Sequence, residues 1–80
     1  MFGSKLLRRR KLTKEDKRIA DRIRKLRIEK GITQEDLSGR LGYNLSYIAY
    51  VETYRSGMSL PTLYKIAKIL GVKVKDLIDF

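Results

Sequence analysis

The sequence predicts an all-α domain of five helices, and three observations carry that expectation. Apolar residues recur at spacings of three and four in successive segments, which is the period of a helix buried on one face. Four of the five segments open on a residue suited to N-capping, and three close on glycine. Two of the segments, within residues 33–53, are joined by a tight glycine turn, with small or apolar residues where two crossing helices must touch.

Met1 to Leu12 lacks periodicity and contains Arg8-Arg9-Arg10-Lys11. It reads as a flexible basic arm over residues 1–12, ahead of a folded domain over residues 13–80. Thr13 offers the first N-cap, with Glu15 and Asp16 in the turn where the helix dipole favours negative charge. Ile19, Ile23 and Leu26 make one apolar stripe on a helix that stops at Gly31. Thr33 caps the second helix, and Asp36 three residues later suggests an acidic form of the capping box. Leu37 and Leu41 face inward, and Gly42 supplies the left-handed conformation that ends the helix.

Asn44 is the expected cap of the third helix. Tyr47-Ile48-Ala49-Tyr50-Val51 has strand-like propensity, being aromatic and β-branched. A lone strand would have no partner among these helices, so the segment is read as helical. Ser59 caps the fourth helix, with Pro61 tolerated in its first turn. Its buried stripe is Leu63, Ile66, Ala67 and Leu70, and Gly71 ends it. Val72, Val74, Leu77, Ile78 and Phe80 form a last short helix. No repeat is visible, and low complexity is confined to the arm.

Eighty residues make one domain, near the size where a single core is only modestly stabilising. The absence of cysteine and histidine excludes disulfides, thiolate nucleophiles, the commonest zinc ligands and any Ser-His-Asp unit. No metal, cofactor or enzymatic activity is therefore expected. No apolar run reaches the roughly 20 residues that span a bilayer, and the N-terminus lacks the apolar centre of a secretion signal. The expected location is the cytoplasm.

The charge is informative for its position. Residues 1–30 carry 13 Lys/Arg against four acids, and residues 31–80 carry six against five. Nine of the ten net positive charges thus lie in the arm and first helix. Such a block favours a polyanionic partner, most often nucleic acid, with a solubilising tail as the bland alternative.

Taken together, several stretches resemble the lambda-repressor-like, Cro-type helix-turn-helix family, often called the Xre type. They are Arg22-Ile23-Arg24-Lys25-Leu26-Arg27 with Lys30-Gly31, Thr33-Gln34-Glu35-Asp36-Leu37, Leu41-Gly42, Ser46-Tyr47-Ile48 and Val51-Glu52. Leu63, Ile66-Ala67, Leu70-Gly71-Val72 and Asp76-Leu77 continue the match, which runs from about residue 19 to residue 80. The resemblance implies a five-helix bundle, usually a homodimer, that binds double-stranded operator DNA and regulates transcription; the expected type is a small phage-type or mobile-element repressor. Restriction–modification controller proteins are a similar subtype. By family position Arg27 and Glu52 form a buried ion pair, and Tyr43 belongs in the core.

Turning the third helix by 100° per residue, with Ile48 and Val51 inward, places Ser46, Ala49, Tyr50 and Thr53 outward and Leu45 on a flank. The resemblance makes Leu45, Ser46, Ala49 and Tyr50 the base-contacting residues. Thr33, Gln34, Arg55 and Ser56 are expected at phosphates, and Arg8, Arg9, Arg10 and Lys11 along the duplex. Gln34 has an ordinary exposed glutamine as its bland alternative. The third helix departs from the family in carrying no Arg, Lys or Gln to make bidentate base contacts. Tyr54 replaces the glycine usual after that helix, and Gly57 is expected to take over its special backbone conformation.

Apolar residues near the end, Val74, Leu77, Ile78 and Phe80, are the expected homodimer interface. The competing function is an antitoxin or other protein-interaction module that uses the apolar outer face of the third helix. Tyr43, Tyr47, Tyr50 and Tyr54 also recur at helical spacing, which suggests a stacking platform for single strands, with core packing as the stronger alternative.

Overall fold

The computed structural model describes residues 12–78. Its elements are α1 (Lys14–Glu29), α2 (Gln34–Leu41), α3 (Tyr47–Glu52), α4 (Leu60–Leu70) and α5 (Val74–Ile78), with no strand among the described residues. The arm residues Arg8, Arg9, Arg10 and Lys11, and Phe80, lie outside the described residues.

Local chemistry sets the helix ends. At α1 the capping box is complete: Thr13 Oγ1 accepts the Asp16 N–H at 3.1 Å, and Asp16 Oδ2 accepts the Thr13 N–H at 2.9 Å. At α2 only one half forms. Thr33 Oγ1 accepts the Asp36 N–H, while the Asp36 carboxylate turns to Arg40 one helical turn on, at 3.1 Å. Ser59 Oγ accepts the Thr62 N–H at α4. Gly31, Gly42 and Gly71 all adopt positive φ where α1, α2 and α4 stop.

The third helix starts later than the sequence suggests. Asn44 Oδ1 accepts the Ser46 N–H at 2.9 Å and the Ser46 hydroxyl at 2.6 Å, and Asn44 O accepts the Tyr47 N–H. Asparagine here closes a turn two residues ahead, so the helix begins only at Tyr47.

The core is built from Ile23, Leu37, Leu41, Ile48, Leu63, Ile66, Ala67, Leu70 and Leu77, with Ile19, Leu26 and Val74 packed against it. α2 packs on α3 and α4, and α1 packs on α3 and α5. The Arg22 guanidinium donates to Asp76 O at 2.7 Å, tying α1 to α5. Two expectations change. Leu77 is fully buried inside its own bundle and cannot face a second copy, whereas Ile78 is 43% exposed. Tyr43 sits at the rim, 37% exposed, because its hydroxyl needs a partner and finds Thr62 Oγ1 at 3.0 Å.

Ser38 joins the two helices of the central turn. It is fully buried; its hydroxyl donates to Gln34 O at 2.8 Å and accepts the Ile48 N–H at 3.0 Å. A side chain on α2 thereby satisfies an orphan donor at the start of α3. Ser38→Ala keeps the size but leaves that N–H buried and unpaired. It should lower the free energy of unfolding by about 1–3 kcal/mol, read from urea denaturation.

Candidate nucleic-acid interface

Ile48 and Val51 are fully buried and fix the rotation of α3. The opposite side presents Leu45 at 59% exposure and Tyr50 at 47%, with Ser46 and Ala49 half-buried between them. Thr53 points outward as well, but its hydroxyl folds back onto Ala49 O at 2.8 Å. Ser46 has its hydroxyl proton on Asn44, so toward a ligand it acts as an acceptor. The Tyr50 hydroxyl has no hydrogen-bond partner among the described residues.

Beneath this face lies a buried carboxylate. Glu52 Oε2 accepts Arg27 Nε at 2.7 Å, and Oε1 accepts Arg27 Nη2 at 3.0 Å and Gln34 Nε2 at 2.9 Å. Arg27 also donates through Nη1 to Ile32 O at 2.8 Å. Arg27 and Glu52 are 8% and 9% exposed, and no buried side-chain N or O among the described residues lacks a partner. The geometry is bidentate on the acid and gives each nitrogen of the base a partner, the condition under which a buried pair is tolerated.

At the amino end of α2, the Thr33 hydroxyl serves as cap and the Gln34 amide is committed to Glu52. What this end offers an anion is the backbone N–H groups of Gln34 and Glu35, the Asp36 N–H being taken by Thr33. Arg24, largely exposed, lies 3.9 Å from Glu52 at the same edge.

The loop after α3 differs from expectation. Tyr54 itself takes the left-handed conformation, with φ +64°, and Gly57 does not. The Tyr54 N–H bonds to Val51 O at 3.1 Å and the Arg55 N–H to Tyr50 O at 2.8 Å, the double closure that ends many helices. A Cβ at Gly57 would lie 3.2 Å from Leu12 Cδ2, so a larger residue there needs Leu12 to give by a few tenths of an ångström. Leu12, expected in the arm, is thus packed on this loop. Arg55 is exposed, and Ser56 donates to Gly57 O.

The tyrosines do not share a platform. Tyr43 and Tyr47 pack edge to face, with centroids 4.7 Å apart, whereas Tyr50 points outward and Tyr54 reaches back to Asp21 on α1. Burial, with Tyr43 beside it, pushes the Tyr47 phenol above its ordinary value.

A helix-turn-helix profile matches residues 23–77. The chain belongs to the helix-turn-helix family. It is 36% identical over 62 residues to the uncharacterized HTH-type transcriptional regulator y4dJ of Sinorhizobium fredii, covering 78% of this chain and 80% of the relative. Among solved structures, it resembles the restriction–modification controller protein C.AhdI of Aeromonas hydrophila at 31% identity and TM-score 0.74. That alignment covers 81% of this chain and 98% of the other. The biofilm regulator SinR in complex with DNA aligns at 32% identity and TM-score 0.69, over 76% of this chain and 98% of the other.

Within the family framework, sequence reasoning located the α3 face and the Arg27–Glu52 positions, but missed three contacts. The letter of Ser38 shows a small hydroxyl residue but not the Ile48 N–H that it serves. Gln34, expected at a phosphate, instead completes the Glu52 cluster with its amide. Tyr54 carried one signal, a bulky residue at a glycine position, but not its partner.

Two outcomes follow. Arg27→Met should cost about 3–5 kcal/mol in urea unfolding, because Glu52 stays buried without its cation. Replacing both residues, as Arg27→Met with Glu52→Leu, should recover part of that loss. Separately, the hydrogen bond to Asp21 holds the Tyr54 phenol above its ordinary value of 10.0. A phenol whose folded-state value is raised contributes stability below about pH 10, and that contribution is lost as pH rises through the folded value. Alkaline stability curves of the native chain and of Tyr54→Phe should therefore converge only above pH 10.

Proposed function

We infer that this chain is a DNA-binding transcriptional regulator that lays α3 in the major groove. The observation that carries the reading is the α2–α3 unit itself. Ser38 and Glu52 lock α3 from beneath, leaving Leu45, Ser46, Ala49 and Tyr50 on the open side. Nine net positive charges within the first 30 residues supply the sequence-independent attraction. The family relatives point the same way, SinR having been solved on DNA. Repression follows where the bound site overlaps a promoter.

Base reading rests on apolar and single-hydroxyl contacts. Leu45 and Ala49 meet thymine methyls. Ser46, with its proton held by Asn44, accepts from the exocyclic amines of adenine or cytosine, and Tyr50 contributes a hydroxyl free to donate or accept. No bidentate pair, worth about 1–3 kcal/mol, is available on this face, so discrimination is modest and tilted toward A·T-containing sites. The N-terminus of α2 at Thr33 and Gln34, together with Arg55 and Ser56, sets register on phosphates.

The unit works as a homodimer on two-fold sites. Ile78 and the outer edge of Val74 carry its contact, with Phe80 beyond the described residues; Leu77 is withdrawn from that set by its burial. Sedimentation at tens of micromolar, with and without DNA, should show a dimer, and monomer under both conditions would remove this part of the reading.

Selection from a random duplex pool should enrich A·T-containing half-sites. Tyr50→Ala should then lower the ratio of specific to non-specific affinity more than it lowers non-specific affinity. A ratio that stays constant across substitutions of Leu45, Ser46, Ala49 and Tyr50 would transfer this apolar face to a protein partner, as in an antitoxin. Deleting residues 1–11 should weaken binding to all sequences alike. It should also flatten the dependence of log affinity on log salt by about 0.9 for each phosphate the arm neutralises. An unchanged slope would leave Arg8, Arg9, Arg10 and Lys11 as a solubilising tail.

A further inference from the structure

Tyr54 occupies a backbone position that disfavours it. Its φ of +64° is the left-handed region, where a Cβ crowds the following carbonyl and glycine is the usual occupant. The tyrosine side chain does something glycine cannot. Its hydroxyl donates to Asp21 Oδ1 on α1, across 33 residues of sequence, and the Lys17 ammonium stands 5.7 Å above its ring. The next residue, Arg55, is held through its N–H by Tyr50 O. Its guanidinium has no ion-pair or hydrogen-bond partner among the described residues. Farther along, Leu12 rests on Gly57. The loop leaving α3 is thus tied to α1 through Tyr54 and has Leu12 beside it at Gly57, with one unpaired cation between these two points.

We propose that Tyr54 is a positioning residue for DNA binding, strapping the loop after α3 to Asp21 so that Arg55 is presented to the phosphates flanking the groove that α3 enters. The proposal rests on the DNA-binding reading above and adds a device to it. A free loop would have to lose conformational freedom on binding, and a strapped loop has already lost it.

The sign of one substitution separates this from general electrostatics. Neutralising Asp21 removes a negative charge, which by itself raises affinity for a polyanion. Asp21→Ala also removes the acceptor, whereas Asp21→Asn keeps a carbonyl oxygen to receive the tyrosine proton. The test is titration of the full chain and its variants with a 30-base-pair mixed-sequence duplex over a series of salt concentrations. Thermal unfolding is measured alongside.

Asp21→Asn should bind at least as tightly as the native chain. Asp21→Ala and Tyr54→Phe should each bind roughly three- to tenfold more weakly, with a salt slope lower by about 0.9, although alanine favours the α1 helix. Arg55→Ala should produce the same loss, and adding Tyr54→Phe to it should change nothing further. If Tyr54→Phe and Asp21→Ala bind like the native chain, or if Tyr54→Phe still weakens binding in the Arg55→Ala background, the strap is not a positioning device. If the native chain itself fails to retain the duplex at low salt, the DNA reading falls and the strap falls with it.

Discussion

Three parts of this bundle meet on the carboxylate of Glu52. It receives Arg27 from α1 in a two-bond fork and Gln34 from the first turn of α2, while it stands itself at the last residue of α3. Arg27 extends the cluster to the α1–α2 connection through Ile32 O. An ion pair this deep has a desolvation cost that its attraction does little more than offset, so its value is geometric. A fork of planar groups admits one orientation, which sets α3 against both α1 and α2 in a way that interchangeable apolar contacts do not.

Ser38 performs the complementary task at the other end of α3. A helix of six residues contributes little stability of its own, and its first N–H groups have no partners within it. Asn44 serves the Ser46 N–H from outside the helix and Ser38 serves the Ile48 N–H from beneath it. The short helix is therefore held by polar bonds at both ends, with Ile48 and Val51 buried between. This leaves its outer side free of structural duty, which is what a reading surface requires.

That outer side lacks charge, whereas Arg24 stands at the edge shared with α2 and Arg55 on the loop that follows. The sequence ahead of the described residues adds four consecutive basic residues. In the DNA-binding reading proposed above, affinity and discrimination come from different parts of the chain, cations supplying the first and the apolar and hydroxyl groups of α3 the second. The replacement of a glycine by Tyr54 falls on the boundary between these two zones.

The helix boundaries at Thr13, Gly31, Thr33, Gly42, Ser59 and Gly71 were readable from the sequence alone. Each depends on bonds between residues three to five apart, and such bonds need no knowledge of the rest of the fold. The buried stripe of Leu63, Ile66, Ala67 and Leu70 was readable for the same reason, as a period along one helix. Folding decided matters that span longer separations. It gave the Ser38 hydroxyl to Ile48, brought Asp21 to the hydroxyl of Tyr54, turned Gln34 inward to Glu52, and put Leu77 inside while Ile78 stayed out. A side chain's donors and acceptors are visible in its letter. Which partner it meets depends on how the helices cross, and that is fixed only when the whole core packs.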